Sequence, residues 1–160
     1  MNSINTVKLD KLKLIPFQVL PILFLIVYVI FPTHNSTVDG YGYACHVKFG
    51  EALFQSHHLL YSFLGYLWYN LFAVLGFSLD VLSSLIIMNA LSASVSLMLL
   101  GYILMHLFGN NAKVLSWIFF VGSTWGVMRF ATENETYLVP IVFSLAGSLF
   151  YLKLLEIPEN

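Results

Sequence analysis

The 160 residues are 59% hydrophobic and only 9% charged, with a formal net charge of −1. That balance, and a mean hydropathy of +0.82, exclude an ordinary soluble domain, whose apolar share is nearer ~45–50%. They also exclude a nucleic-acid binder, because no basic stripe is present to neutralise phosphates. A single cysteine, Cys45, rules out an internal disulfide and a Cys-based zinc site and reads as a small residue on a helix. The chain reads as one all-α, polytopic membrane domain over residues 1–160.

Lys8, Lys11 and Lys13 precede an apolar stretch over residues 15–31. It is longer than the ~7–15-residue apolar core of a signal peptide, and no small-x-small site follows. The expectation is an uncleaved first spanning helix with a cytoplasmic N-terminus. Residues 32–80 form a long outer loop. Within it, residues 39–54 have helical spacing, with Asp39 as N-cap or first-turn residue. The face carrying Ala44, Val47 and Phe54 is expected to rest on the membrane interface.

Residues 59–77 are long enough to cross but dense in Tyr and Trp, which prefer the headgroup level. Laid along the outer surface, they leave Lys113 and Lys153 in the cytoplasm with the three N-terminal lysines, and only Lys48 and Arg129 outside. The positive-inside bias favours that arrangement, and it brings both acidic clusters to one face. Spanning helices are then expected over 15–31, 81–108, 114–131 and 137–155, with one or two juxtamembrane helices in the outer loop. Gly109-Asn110-Asn111 supplies the turn between the second and third.

Carboxylates at membrane edges are costly and mark functional sites. Asp39 is one, read either as a cap or as a catalytic base. Glu133 and Glu135 form the other. Arg129, four residues before Glu133, offers an ion pair on one helical face or a phosphate fork. Two carboxylates two residues apart are also a ligand pair for Mg²⁺ or Mn²⁺; metal dependence stays open. His57 and His58 diverge by roughly 100° on a helix, which argues against one shared metal; they read as loop or interfacial histidines, with phosphate or substrate contact as the functional alternative. Tyr137 and Trp125 fit an aromatic belt or sugar stacking. Asn89 with Ser92, Ala93, Ser94 and Ser96 makes a small, polar face of the kind that packs helices closely. Asn35-Ser36-Thr37 and Asn134-Glu135-Thr136 are formal glycosylation sequons.

In order, these pieces are Asp39-Gly40-Tyr41-Gly42-Tyr43-Ala44, His57-His58-Leu59-Leu60-Tyr61, Asn89-Ala90-Leu91, Trp125 to Arg129, and Glu135-Thr136-Tyr137. The ordered set resembles the N-terminal part of GT-C-class glycosyltransferases, polytopic enzymes that use polyprenyl-phosphate-linked sugars. The resemblance implies inverting sugar transfer on the outer face of a bacterial inner membrane. It implies Asp39 as general base and Glu135, helped by Glu133, as the group that orients acceptor or metal. Arg129, His57 and His58 face the lipid phosphate, and Tyr137 lies at the substrate. Such enzymes have more spanning helices, so the chain reads as a truncated or partial enzyme whose missing helices come from a membrane partner. The alternative is a small non-catalytic subunit packing against a larger partner.

Overall fold

The structure is a computed structural model describing residues 16–56 and 58–155. Among these are seven helices and no strand: α1 (Val19–Ile30), α2 (Val38–Phe49), α3 (Tyr61–Val74), α4 (Val81–Phe108), α5 (Asn111–Gly122), α6 (Trp125–Ala131) and α7 (Leu138–Leu155).

Local chemistry sets most boundaries. Thr37 accepts a hydrogen bond from Gly40 N (3.1 Å) and starts α2. Asp80 does the same for α4 from Ser83 N (3.0 Å), and Asn110 for α5 from Lys113 N (3.1 Å). Such caps satisfy backbone donors that have no partner inside the helix. Gly50 and Gly109 end α2 and α4 in the left-handed conformation that glycine adopts without strain. Pro21 and Pro140 both fall in the first turn of their helices, where no intrahelical N–H is lost.

α4 is the axis of the molecule and touches each of the other six helices. Its small residues Ala90, Ala93, Ser94 and Gly101 let neighbours approach. α1 runs antiparallel to it: Tyr28 packs on Ala90 and Ala93, Phe17 on Leu97, and Ser94 Oγ donates to Pro21 O at 2.9 Å. α7 runs parallel to it: Val139 clusters with Met88, and farther along Leu138, Ile141 and Leu145 line one hollow with Ala93, Leu97 and Leu100. The ends of α1 and α6 and the start of α7 therefore gather at the N-terminal end of α4, together with α2 and α3.

Two helices, α4 and α7, are long and apolar enough to cross a membrane. A third span exists if α5 and α6 count as one, bent by 67°. The expected first span, 15–31, appears as the 12-residue α1, about 18 Å long and shorter than the ~30 Å hydrocarbon core. α3, at 14 residues, is about 21 Å long. It lies on the first part of α4, with Gly65 against Leu85 and Trp68 Nε1 donating to Ser84 O at 2.9 Å.

Two expectations need correction. The apolar run 114–131 is not one helix but breaks at Ser123-Thr124. The cause lies on α1. Tyr28 Oη donates to Gly122 O at 2.8 Å, taking up a carbonyl at the break, and Thr124 Oγ1 donates to Val121 O at 2.7 Å. The Phe24 ring occupies the space beside Gly122 so closely that an added Cβ would lie 2.5 Å from it. Nor does α2 lay its apolar face on the lipid. It ends at Phe49, and Ala44 and Val47 are buried against Tyr61, Leu85, Met88 and Val139.

Candidate functional site

The segment joining α6 to α7 enters the protein rather than lying on its surface. Thr132, Glu133, Asn134 and Thr136 are all buried, Glu133 and Asn134 completely. Buried polar groups without partners are costly, and here each neighbouring element supplies one. Asn89, the only amide side chain on α4, donates through Nδ2 to Glu133 O and Glu135 O, both at 2.7 Å. Asn134 Nδ2 donates to Gly40 O at 2.5 Å. Asn134 Oδ1 accepts from Tyr61 Oη at 2.5 Å, much closer than the 3.3 Å from that hydroxyl to Asn89 Oδ1. Thr33 N donates to Thr132 O at 2.7 Å.

Glu133 belongs to the same network. Its Oε1 accepts from Thr37 N at 2.6 Å, and its Oε2 lies 2.5 Å from Arg129 Nη2. The latter contact is close but not aligned with an N–H, so Oε2 has no directed hydrogen bond. The carboxylate also stands where the first turn of α2 presents unpaired N–H groups, a favourable position for an anion.

These contacts bring α2 and the α6–α7 segment together so tightly that a Cβ on Gly40 would sit 3.1 Å from Asn134 O. Asp39, exposed in the first turn of α2, and Glu135, half-buried, therefore share one end of the molecule. Thr37 Oγ1 lies 3.5 Å from Glu135 Oε1. Burial, then the charges of Glu133 and Asp39, push the Glu135 carboxyl above its ordinary value. The Tyr43 phenol is raised in the same way, by burial and then by Asp39 and Glu135.

An aromatic wall stands beside the two acids. The His58 ring meets Tyr43 and Tyr137 edge-on, with centroids 5.7 Å and 6.2 Å apart. Tyr43 meets Tyr61 at 5.6 Å, and Tyr137 packs on Phe130 at 5.1 Å. His58, Tyr61 and Thr136 then form the mouth of a hollow of about 370 Å³ that continues along Val139, Pro140 and Phe143. A second hollow of about 370 Å³ shares Val139 and Phe143 and runs between α3 and α7 over Met88 and Ser92, with Leu64 and Trp68 on its wall. Together they form an apolar groove that begins beside His58, Leu59, Leu60 and Tyr61 and descends along the helices, with neither Asp39 nor Glu135 in its lining.

The structure thus gathers Asp39, Glu135, His58 and Tyr137, while His57 lies outside the described residues. It also shows how the remaining residues sit. Glu133 does not face the site, because its two oxygens are taken by Thr37 and Arg129 inside the protein. Among the described residues no three His, Cys, Asp or Glu side chains group to hold a metal. Arg129 forms the i,i+4 pair with Glu133 and keeps 32% of its side chain exposed. Asn134, the first residue of a formal sequon, is fully buried. Asn89, Tyr61, Thr37 and Gly40 were missed as site builders, although a lone amide in an apolar helix is itself a signal. Comparison with family models, with curated proteins and with solved structures finds no match for this chain.

The two glutamates should affect stability in opposite directions. Glu133→Ala strands Thr37 N and frees Arg129, at a cost of about 2 kcal/mol, with the ion pair discounted for the partial exposure of Arg129. Glu135 holds its proton more tightly when folded than when unfolded, so stability falls as pH rises through the window above its ordinary value of 4.5. Glu135→Gln should therefore raise the denaturation midpoint of the purified protein at pH near 8. That gain should vanish below the ordinary value, and denaturant titration at both pH values checks it.

Proposed function

We propose that this protein is a membrane glycosyltransferase of the kind that uses polyprenyl-phosphate-linked sugars, with its chemistry at the end of the molecule shared by Asp39 and Glu135. The single observation that carries this reading is the meeting of those two acids, beside an aromatic wall, at the head of an apolar groove. Asp39, exposed and on a fixed helical turn, takes the proton from an acceptor hydroxyl. The acceptor oxygen attacks the anomeric carbon, the bond from that carbon to the phosphate oxygen breaks, and polyprenyl phosphate leaves with the electron pair. Configuration at the sugar inverts. Glu135 orients the acceptor, Tyr43 and Tyr137 offer rings to the sugar, and His58 with the open side of Arg129 faces the phosphate.

In this reading α1, α4, the bent α5–α6 pair and α7 make four crossings of a bacterial inner membrane. The N-terminus is cytoplasmic, and the site opens on the outer face. A second reading, a non-catalytic subunit, draws on α7. Only 6% of its apolar window is buried, against 50% for α4, which leaves room for a membrane partner that supplies further helices.

Membranes carrying Asp39→Asn should transfer sugar from a polyprenyl-phosphate donor about 10²–10⁴-fold more slowly than the parent, at equal protein level. Unchanged transfer removes Asp39 from the mechanism and leaves the subunit reading.

A further inference from the structure

We propose that Thr37 is the positioning residue of the acidic site: its hydroxyl proton holds one oxygen of Glu135, while the same side chain caps the helical turn that carries Asp39. This deepens the transfer reading and rests on it for the effect on turnover. The positioning itself is read without turnover, so the two can fail separately.

The other polar atoms of Thr37 leave its hydroxyl proton little choice. Its N–H donates to Glu133 Oε1 at 2.6 Å, and its carbonyl accepts from Tyr41 N at 3.2 Å. Its Oγ1 accepts from Gly40 N at 3.1 Å. A hydroxyl has one proton and two lone pairs, so the cap occupies a lone pair and leaves the proton. Glu135 Oε1, 3.5 Å away, is the acceptor that Thr37 Oγ1 reaches. That separation is long for O–H···O, and catalytic hydrogen bonds of this kind tighten when a substrate completes the site. Threonine is branched at Cβ, which restricts χ1 and fixes the direction of its hydroxyl.

Glu135 is fixed at its backbone by another element, since its carbonyl accepts from Asn89 Nδ2 at 2.7 Å. Among the described residues, Thr37 is the one group that hydrogen-bonds its side chain. Oε1 therefore turns to the first turn of α2, and Oε2 is the oxygen left for an acceptor hydroxyl. Around this carboxylate, Glu133 and Asp39 oppose its charge, and Arg129, paired with Glu133, favours it. The other titratable groups at this end are Tyr43 of α2, Tyr61 of α3, Tyr137, and His58, whose ring meets Tyr43 and Tyr137. Against burial and two like charges, the bond from Thr37 favours the ionised form of Glu135. Without it, the carboxyl keeps its proton to higher pH.

The test is an infrared titration of the full chain in bilayers, with the Glu135 carboxyl band assigned by its loss in Glu135→Gln. Thr37→Val removes both the cap and the donor. Thr37→Gly removes the donor alone, because glycine caps helices about as well as threonine. Thr37→Ser keeps both. Glu135 should titrate at higher pH than in the parent in Thr37→Val and Thr37→Gly, and with the parent in Thr37→Ser. In transfer assays kcat should fall about 10- to 100-fold in the first two, the order that a misplaced orienting group costs. KM for the polyprenyl-phosphate donor should hold, and Thr37→Ser should follow the parent. A Glu135 titration that stays with the parent in both Thr37→Val and Thr37→Gly overturns the proposal, and so does a Thr37→Ser chain that titrates with Thr37→Val. A shifted titration with unaltered transfer leaves the positioning standing and counts against the transfer reading.

Discussion

A polar segment threaded through an apolar helical protein is tolerated when its donors and acceptors find partners. Thr132–Thr136 draws them from three other elements, and Glu133 Oε2 is held by the charge of Arg129 without a directed hydrogen bond. Asn89 of α4 holds two of its carbonyls, Tyr61 of α3 donates to Asn134, and the first turn of α2 is gripped from both sides by Asn134 and Glu133. Partly satisfied, such a network would cost more than an apolar core of the same volume; satisfied, it specifies one arrangement. The arrangement it specifies is the close approach of Gly40 to Asn134, and the positions of Asp39 and Glu135 follow from that approach.

The two sides of the network carry different burdens. Glu133 is neutralised and enclosed, and it stabilises the junction. Glu135, two residues later, is left between burial and two other carboxylates, so the fold works against its charge. A carboxyl held in a disfavoured state at the head of a groove is a common mark of a functional group, although structural networks also perturb carboxyls. Here the division of labour is visible in one short segment: both glutamates reach Thr37, but only Glu133 has the Arg129 guanidinium beside it.

Much of the architecture was legible in local sequence. Unbroken hydropathy and the Gly109-Asn110 turn marked α4 to within its observed ends, and residues 59–77 do hold a helix, the 14-residue α3. The i,i+4 spacing of Arg129 and Glu133 gave their pair directly. What could not be read depends on contacts distant in the chain. The break at Ser123-Thr124 looks like a continuing apolar run, and Phe24 and Tyr28 on α1 create it. The burial of Ala44 and Val47 depends on α3 and α4 filling the space where lipid was expected. The burial of Asn134 could not be read either, because its two partners, Gly40 and Tyr61, lie 94 and 73 residues away in the chain.

The direct check on this account is the proximity of the two acids in a real bilayer. In a Cys45→Ser background, with Asp39→Cys and Glu135→Cys introduced together, a short bifunctional thiol reagent should join the pair efficiently in intact membranes. One membrane-impermeant reagent should also reach both thiols from the same side. Absence of the cross-link, with the two thiols labelled from opposite sides, would contradict the shared site and the buried junction that builds it.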